Sequence, residues 1–544
     1  MSRFDGRRLS WTRLTVLVGA LTALVLVGTS SWHSVQDSQA AEANGDAWYA
    51  GYVDATVTPL HAFEQPTSKA TRDVVLSFIV SDPQQGCRPT WGSAYSLDAA
   101  ADELDLDRRI ARLRQQGGSV VVSFGGAVNS ELATACTDAA ELLKAYRSVV
   151  ERYDLRMIDL DNEGAGLADR AAASRRAVAM HALQVERAKA GKDLRVWLTL
   201  PVAPSGLSED GRRAVETMLD HDVDLSGVNV MTMDYGASRT TGQSMLDASI
   251  AALTETHRQL GQVYAGAGQD VGSSTLWRRM GATPMIGQND VPGEVFSLAA
   301  ARGLSAFADQ KGLGRMSMWS LNRDRTCGAN YPDVTVVSNS CSGVDQGGTS
   351  FAKLLRGDMT GRPDTSAVTP VVPGSAGRGQ GEEARADDPA TSPYPIWDEE
   401  TTYVEGTRVV WHRNAYVAKW WTLGDVPDDP VVDTASSPWQ LVGPVLEGEK
   451  PVALPKLPRG TYPTWDQDRS YRKGERVMMG GTPFTAKWAS TGVSPDAQAS
   501  REQPSPWRRL TDAEIRTAAQ AAAKATKDAK PRKDGGKKKR TNDR

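Results

Sequence analysis

The 544-residue sequence has little net charge and few cysteines. Its 63 basic and 66 acidic residues leave a formal charge of −3, which argues against nucleic-acid binding driven by overall charge. The length predicts several domains. The even number of cysteines favours two disulfides over four free thiols in an exported protein. These cysteines are Cys87, Cys136, Cys327 and Cys341.

Charge is also absent from residues 14–32, near the N-terminus. Four arginines precede an apolar run at 14–28, which is the pattern of a signal peptide. Ser38-Gln39-Ala40 offers a cleavage site before Ala41, whereas the uncharged run also suits an uncleaved membrane anchor. We predict a signal peptide or membrane anchor over 1–40. The protein is then secreted and extracellular, and it contacts a membrane only if the anchor is retained.

Three acids alternate with other residues in the segment 155–164. On a β-strand, Asp159, Asp161 and Glu163 would share one face, about 6.6 Å apart at each step. Close carboxylates repel each other, which favours keeping one of them protonated, and a protonated carboxyl can act as a general acid. An acidic loop or a calcium site is the alternative. A calcium loop of the EF-hand type, however, needs a central glycine rather than apolar residues between the acids.

Short apolar runs alternate with amphipathic stretches from about residue 46 to 345. Such alternation predicts a parallel sheet with helices outside, and eight units favour a (β/α)₈ barrel over an open sheet. The acids then end the fourth strand, at the face where such barrels carry their chemistry. The runs lie at 48–53, 74–80, 119–125, 155–161, 195–202, 227–233, 283–287 and 315–320.

Polar, glycine or aromatic residues follow other predicted strands. Paired glycines after the third strand would let a ligand approach the backbone closely. An indole at the end of the eighth strand would suit the apolar face of a sugar, with core packing as the alternative. The candidates are Ser123, Gly125 and Gly126 after strand three; Met233, Asp234 and Tyr235 after strand six; Asn289 and Asp290 after strand seven; and Trp319 in strand eight.

These motifs resemble the family 18 glycoside hydrolases, the chitinase family. The family signature, Asp-x-x-Asp-x-Asp-x-Glu, is matched by Asp159, Asp161 and Glu163, whereas Arg156 replaces the first acid. The third-strand Ser-x-Gly-Gly, the sixth-strand Met-Asp-Tyr and the eighth-strand Trp also match, in the expected order. Arg156 puts the supporting hydrogen-bond network in doubt, and Asn162 replaces a residue that is usually apolar or aromatic.

The resemblance implies retaining hydrolysis of β-1,4-linked N-acetylglucosamine without a cofactor or metal, because the substrate supplies the nucleophile. Glu163 would protonate the leaving oxygen, and Asp161 would orient the acetamide. Asp159 would share a hydrogen bond or proton with Asp161. Tyr235 would donate a hydrogen bond to the acetamide carbonyl, and Trp319 would form the floor of the sugar-binding site. The remaining candidates after the strands would contact the substrate.

The cysteines are compatible with this layout. Cys87 and Cys136 follow the second and third strands, on loops that could meet, and Cys327 and Cys341 bracket a loop after the eighth strand. The sequence leaves the pairing open.

A flexible linker is predicted at 357–393, where Gly, Pro, Ser, Thr and charged residues lack any amphipathic period. The tail at 518–544 is basic and predicted to be disordered, with attraction to an anionic cell wall as an alternative.

Between the predicted linker and the predicted tail lies an internal repeat with a constant offset of 68 residues. Trp397 corresponds to Trp465, for example, and Trp439 corresponds to Trp507. Both copies, at 394–445 and 462–510, resemble small all-β carbohydrate-binding modules of families 5 and 12, whose hallmark is Ala-Lys-Trp-Trp. The four tryptophans named here are assigned to packing. Sugar-binding candidates are Tyr416, Trp420, Trp421, Phe484 and Trp488; the second copy has Ala489 where the first has Trp421.

Taken together, these features predict a secreted, monomeric chitinase whose partner is chitin or a related N-acetylglucosamine polymer. Two alternatives stay open. One is a chitin-binding protein with a weakened or inactive barrel, suggested by Arg156 and Asn162. The other is an endo-β-N-acetylglucosaminidase acting on glycoproteins, which would have less use for two modules that bind an insoluble polymer.

Overall fold

The computed structural model describes residues 37–42, 45–329, 331, 333–363, 387–428, 437–452, 456–499 and 503–528. The apolar N-terminal run, most of the predicted linker and the lysine-rich end of the predicted tail lie outside these residues. Asp37, just before the predicted cleavage site, accepts hydrogen bonds from the backbone N–H groups of Ser274 and Thr275. Within the described ranges, no helix is long and apolar enough to cross a membrane.

The first of two compact units contains a closed parallel barrel. The strands of this unit, inside and outside the barrel, are β1 (Trp48–Tyr49), β2 (Gly51–Asp54), β3 (Val74–Ser81), β4 (Pro89–Trp91), β5 (Tyr95–Ser96), β6 (Val120–Gly125), β7 (Met157–Asp161), β8 (Arg195–Ala203), β9 (Gly206–Leu207), β10 (Leu225–Met231), β11 (Met280–Thr283), β12 (Gly287–Gln288), β13 (Val295–Phe296) and β14 (Arg315–Met316).

Strands β1 and β2 together form the first of eight barrel positions. The remaining seven run in the order β3, β6, β7, β8, β10, β11 and β14. Parallel pairing of β1 with β14 and of β2 with β3 closes the ring. The predicted eight-stranded barrel is therefore confirmed.

Helices connect and cover these strands. They are α1 (Leu97–Glu103), α2 (Leu106–Gln115), α3 (Leu132–Ala135), α4 (Ala139–Arg152), α5 (Gly164–Ala168), α6 (Arg170–Lys189), α7 (Glu209–Asp220), α8 (Met245–Gly266), α9 (Ser273–Arg278), α10 (Leu298–Lys311) and α11 (Phe351–Arg356). Side-chain caps stabilise the N-termini of several helices. The side-chain oxygens of four residues accept hydrogen bonds from backbone N–H groups in the first turns of α4, α7, α8 and α10: Asp138, Ser208, Ser244 and Ser297, in that order.

The predicted bounds of the seventh and eighth strands were wrong. The seventh was expected at 283–287 but is β11, Met280–Thr283, followed by Pro284, which has no N–H for a further ladder bond. Regular pairing in β14 ends at Met316. The chain still continues beside β11, because the Ser317 N–H bonds the Ala282 carbonyl at 2.8 Å.

Both predicted cysteine pairs form disulfides. Cys87 joins Cys136, between the segments that follow β3 and β6. Cys327 joins Cys341, after β14.

Over its described residues, the second unit contains three small antiparallel sheets, one in the first repeat and two in the second. The first copy has β15 (Arg408–Trp411), β16 (Asn414–Ala418) and β17 (Trp439–Pro444). The second has β18 (Ser470–Tyr471), β19 (Arg476–Met479), β20 (Thr482–Ala486), β21 (Ser490–Thr491) and β22 (Trp507–Arg509).

Equivalent contacts confirm the 68-residue register. The Trp439 indole N–H donates to the Asp425 carbonyl at 2.8 Å, and the Trp507 indole N–H donates to the Val493 carbonyl at 2.7 Å. Each of these indoles also meets a buried tyrosine edge to face. The prediction that Trp439 and Trp507 pack in the interior of the two copies is thus confirmed.

The predicted disorder from residue 518 was wrong over part of its range. Helix α12 (Asp512–Asp528) continues past that point, and its Ile515 and Ala518 are buried. Its alanine-rich sequence has high helix propensity. This propensity outweighs the repulsion between like charges from which disorder was predicted.

Candidate active site

A cavity of about 500 Å³ opens at the carboxyl ends of the barrel strands. The strand β7 ends at Asp161, and the backbone remains extended through Glu163, which precedes α5. Asp161 and Glu163 both line the cavity, together with Trp319 from the segment after β14. The predicted acids and indole are therefore brought together at the predicted end of the barrel.

Asp159 lies below the cavity and is completely buried. Its Oδ2 accepts hydrogen bonds from the hydroxyls of Ser123 at 2.7 Å and Tyr52 at 2.8 Å. Its Oδ1 accepts from the Thr199 hydroxyl and from the Arg315 guanidinium, both at 2.6 Å. Four donors, one of them charged, fix the position of the Asp159 side chain.

Arg315 compensates the charge of Asp159 inside the barrel. Both side chains are fully buried. The guanidinium also donates to the Tyr52 hydroxyl at 2.9 Å and to the Ser317 hydroxyl at 3.0 Å. Arg156, which departs from the family motif, precedes β7 at the opposite end of that strand, so the supporting network is built without it.

Burial and neighbouring charge set the protonation of the two upper acids. Burial, followed by the negative charges of Glu163 and Asp159, raises the pKa of Asp161 well above its ordinary value. Burial, followed by the charges of Asp234 and Asp290, raises the pKa of Glu163 to about 7. Glu163 therefore titrates near neutral pH, beside a second carboxyl whose pKa is also raised, which is suitable for general acid chemistry.

Asp161 has one oxygen directed to no protein partner. Its Oδ1 is buried and makes no hydrogen bond to any described residue. The predicted hydrogen bond or shared proton between Asp159 and Asp161 is not present in the described part of the chain, because other donors occupy both Asp159 oxygens. Asp159 instead acts on Asp161 through its charge.

Aromatic rings form one side of the cavity. Trp319 stacks on Phe78, with ring centroids 5.4 Å apart and planes inclined by 24°. It also approaches Tyr52 edge to face at 6.0 Å. The indole is only partly buried and lines the cavity, so it combines packing with an accessible surface.

The segment after β10 divides between two environments. Met233 and Asp234 line the cavity. Tyr235 does not: it is buried, and its hydroxyl donates to Ser249 Oγ on α8 at 3.2 Å. Asp234 adopts a positive φ of 50°, which interrupts the strand alternation at this point. The predicted contact between Tyr235 and an acetamide was therefore wrong.

Gly125 and Gly126 also have a different purpose from the predicted one. Neither lines the cavity. A Cβ at Gly125 would lie 2.1 Å from the Asp161 carbonyl oxygen, and a Cβ at Gly126 would lie 3.0 Å from the Phe78 ring. Both have positive φ, 106° and 91°. The glycines thus admit protein backbone and an aromatic ring rather than a ligand.

Ser123 and Asn289 support the site from beneath. Ser123 is fully buried on Asp159. The Asn289 amide donates to the carbonyls of Met285 and Gly287, and its oxygen accepts the Asp234 N–H at 3.3 Å. The predictions that these two side chains contact substrate were wrong, whereas Asp290, between β12 and β13, lines the cavity.

Sequence analysis missed several residues of the site. Tyr52, Thr199 and Arg315 hold Asp159, and Asp54 and Phe78 line the cavity. Arg315 could have been noticed as a charged residue inside an apolar strand of a closed barrel. Among the described residues, those of the site included, no group of three or more His, Cys, Asp or Glu side chains is placed to hold a metal ion.

The aromatic candidates of the repeats fall into two groups. Tyr416 is buried in the core of the first copy, so a sugar ring cannot stack on it, and that prediction was wrong. Phe484 is buried in the core of the second copy and also lines a small cavity with Trp420 and Trp421, so its sugar contact stays a prediction. Trp488 is 43% exposed, and Trp420 and Trp421 are partly exposed. The Trp421 indole N–H donates to the Asp496 carbonyl of the second copy at 3.1 Å.

Comparison with known proteins agrees with the chemistry of the site. The chain is 36% identical over 289 residues to a probable bifunctional chitinase/lysozyme of Escherichia coli (strain K12), covering 52% of this chain and 31% of that protein. It is 34% identical over 283 residues to Endochitinase 11 of Metarhizium anisopliae, covering 51% of this chain and 52% of that one. These similarities support a glycoside hydrolase.

The chain thus spans about half or less of the length of these two relatives. Among solved structures, the catalytic domain of a hyperthermophilic chitinase from Pyrococcus furiosus matches with a TM-score of 0.48 and 27% identity. That match covers 56% of this chain and 92% of the other. No protein-family model matches the sequence.

The electrostatics of Glu163 give a pH prediction. If protonated Glu163 is the active form, kcat/KM on a soluble glycoside should fall as pH rises through about 7, where Glu163 loses its proton. Asp234→Asn removes a repelling anion, so this alkaline limb should move to lower pH. A pH profile of both proteins tests this. Glu255→Gln, a surface change on α8, is the control and should leave the limb in place; an unmoved limb in Asp234→Asn would contradict the assignment.

Proposed function

We propose that the barrel is a chitinase that hydrolyses β-1,4 linkages between N-acetylglucosamine units with retention of configuration. The observation that carries this proposal is the pair Asp161 and Glu163, both with raised pKa values, in a cavity walled by Trp319. An indole face suits the apolar face of a sugar ring, and the acids suit cleavage of the bond beside it.

In the proposed first step, Glu163 donates its proton to the leaving glycosidic oxygen. The acetamide oxygen of the substrate attacks the anomeric carbon from the opposite face and gives an oxazolinium ion. Water then opens this ion, and Glu163, now a carboxylate, takes the proton from that water. Both steps invert the anomeric carbon, so the product retains the original configuration.

Asp161 acts on the acetamide in this proposal. Its buried Oδ1, which has no partner among the described residues, is available to bond the acetamide group. Positive charge develops on the oxazolinium ring, and carboxylates beneath it stabilise that charge. Asp159 remains fixed by Arg315 and raises the proton affinity of Asp161.

The inactive-barrel alternative is less well supported. It arose from Arg156 and Asn162, but Arg156 lies away from the acids, whose network is complete without it. Asn162 is buried, and its side-chain amide has no hydrogen-bond partner in the described part of the chain. Product analysis on colloidal chitin and on a high-mannose glycopeptide separates chitinase, inactive binder and endo-β-N-acetylglucosaminidase.

Replacing Glu163 with Gln should abolish most activity while leaving the fold intact. General acid catalysis contributes typically about 10²–10⁴-fold, so turnover of chito-oligosaccharides should fall at least that far. Glu255→Gln makes the same chemical change on the surface and should retain activity. Circular dichroism confirms folding of both variants. More than a tenth of the original rate in Glu163→Gln would disprove the assignment.

The tandem repeats are proposed as chitin-binding modules that raise activity on solid substrate only. Binding by one module makes the next binding event intramolecular. Exposed rings are needed for stacking, and Trp488 and the Trp420–Trp421 pair supply them. Because Trp421 also bonds the second copy, its replacement is expected to affect both copies.

Truncation after Pro373 should leave cleavage of soluble oligomers nearly unchanged and lower cleavage of crystalline chitin several-fold. Trp421→Ala should reproduce part of that loss, and a pull-down with washed chitin should show weaker retention. Leu423→Ala, an exposed change nearby, is the control. Equal losses on soluble and solid substrates would contradict the tethering proposal.

A further inference from the structure

A small cavity lies between the two copies of the repeat, inside the second compact unit. Its volume is about 230 Å³, and side chains of both copies line it. The first copy contributes Glu405, Trp420 and Trp421, and the second contributes Phe484 and Lys487. This cavity is called the inter-copy cleft below.

Direct contacts between the two copies hold the walls of the cleft together. The Lys487 ammonium of the second copy pairs with the Glu405 carboxylate of the first at 2.8 Å. The Trp421 indole N–H donates to the Asp496 carbonyl at 3.1 Å. Val404 of the first copy packs against the buried core cluster of the second. An ion pair, a hydrogen bond and an apolar contact thus join the copies around the cleft.

The sequence of the second copy indicates that the two copies have different roles in this contact. Val404, Glu405 and Trp421 are the residues of the first copy that contact the second. At the constant offset of 68 residues, their equivalents in the second copy are two cations and an alanine: Arg472, Lys473 and Ala489. All three equivalents are exposed. The second copy thus lacks the contact surface of the first, and the cleft is a property of the pair rather than of each copy.

Most charged side chains that line the cleft are paired with an opposite charge. Three ion pairs account for them: Lys487 with Glu405, Arg508 with Glu514, and Arg509 with Asp512. Lys419 lies over an aromatic ring, with its Nζ 4.7 Å from the centroid of Trp420. A ligand in the cleft therefore meets hydrogen-bonding groups whose charge is largely compensated, which favours a neutral polar molecule over an ion.

The aromatic part of the lining suits a ligand with an apolar face. The indoles of Trp420 and Trp421 are partly exposed and lie beside the donor and acceptor of the Lys487–Glu405 pair. A pyranose ring combines an apolar face with a rim of hydroxyls. The cleft is smaller than the roughly 300–1,000 Å³ that is typical of pockets for drug-sized ligands. It therefore has room for one or two sugar units, not for a polymer surface.

We propose that the two copies share one binding site, the inter-copy cleft, which holds one or two N-acetylglucosamine units of a single chitin chain. This inference rests on the proposed function and refines how the repeats bind the polymer. Trp488 is 43% exposed and is not among the residues that line the cleft, so it is suited to a flat polymer surface. The repeats then bind chitin by two different contacts, one to its surface and one to a loose chain.

A double-mutant cycle across the cleft tests the shared site. Calorimetric titration with triacetylchitotriose is carried out on the full chain carrying Glu163→Gln, which stops hydrolysis. Trp421→Ala should weaken one binding event about tenfold, and Lys487→Ala should weaken the same event about fivefold. Because the two side chains line one site, the double variant should lose less than the product of the two factors.

Lys473→Ala is the matched control, because Lys473 is an exposed lysine of the second copy that does not line the cleft. It should leave the affinity for triacetylchitotriose unchanged. Trp319→Ala identifies the separate binding event of the barrel and should weaken that event alone. Unchanged affinity in Lys487→Ala, or effects of Trp421→Ala and Lys487→Ala on two different binding events, would overturn the shared site.

Trp488→Ala separates the two contacts with the polymer. It should lower retention on washed chitin and leave the affinity for triacetylchitotriose unchanged; an equal loss in both assays would contradict the division between surface and cleft. Partial retention of Trp421→Ala on washed chitin, through Trp488, shows that the repeats of this variant are folded. If the chain with unaltered repeats fails to bind washed chitin, the proposed role of the repeats is wrong. Retention on chitin together with independent effects of Trp421 and Lys487 overturns the shared cleft alone.

Discussion

The buried pair of Asp159 and Arg315 is the interaction on which the site depends. The two residues come from β7 and β14, and barrel closure brings them within 2.6 Å in a region without solvent. Removing one partner of such a pair typically costs about 3–5 kcal/mol, because the other charge is left uncompensated. Hydroxyls of Tyr52, Ser123 and Thr199 complete the shell, so four other barrel positions donate hydrogen bonds to the Asp159 carboxyl group.

The negative charge of Asp159, fixed at the base of the site, affects the protonation of the acids above it. With Asp159 held below, the pKa of Asp161 is raised well above its ordinary value, and the pKa of Glu163 is about 7. Asp234 and Asp290 raise the pKa of Glu163 further and also give the cavity its negative potential. This set of charges therefore prepares the proton donor.

Much of this site could be predicted from sequence because its main elements are local. The alternation of Asp159, Asp161 and Glu163 on one strand indicated a shared face, and the eight apolar runs indicated the barrel. The contacts of Tyr235, Gly125 and Asn289 could not be predicted. They depend on a positive φ at Asp234, on the approach of the Asp161 carbonyl, and on a loop held by Met285 and Gly287. Arg315 was missed because its partner lies 156 residues away.

The configuration of the first product tests the central claim most directly, that the substrate acetamide is the nucleophile held by Asp161. Proton NMR during the first moments of chito-oligosaccharide cleavage distinguishes the anomers before they equilibrate. Attack by the acetamide followed by water inverts the anomeric carbon twice, so the account predicts β-anomer first, and little cleavage of fully deacetylated chitosan or cellulose. Early α-anomer would mean direct attack by water and would contradict the mechanism.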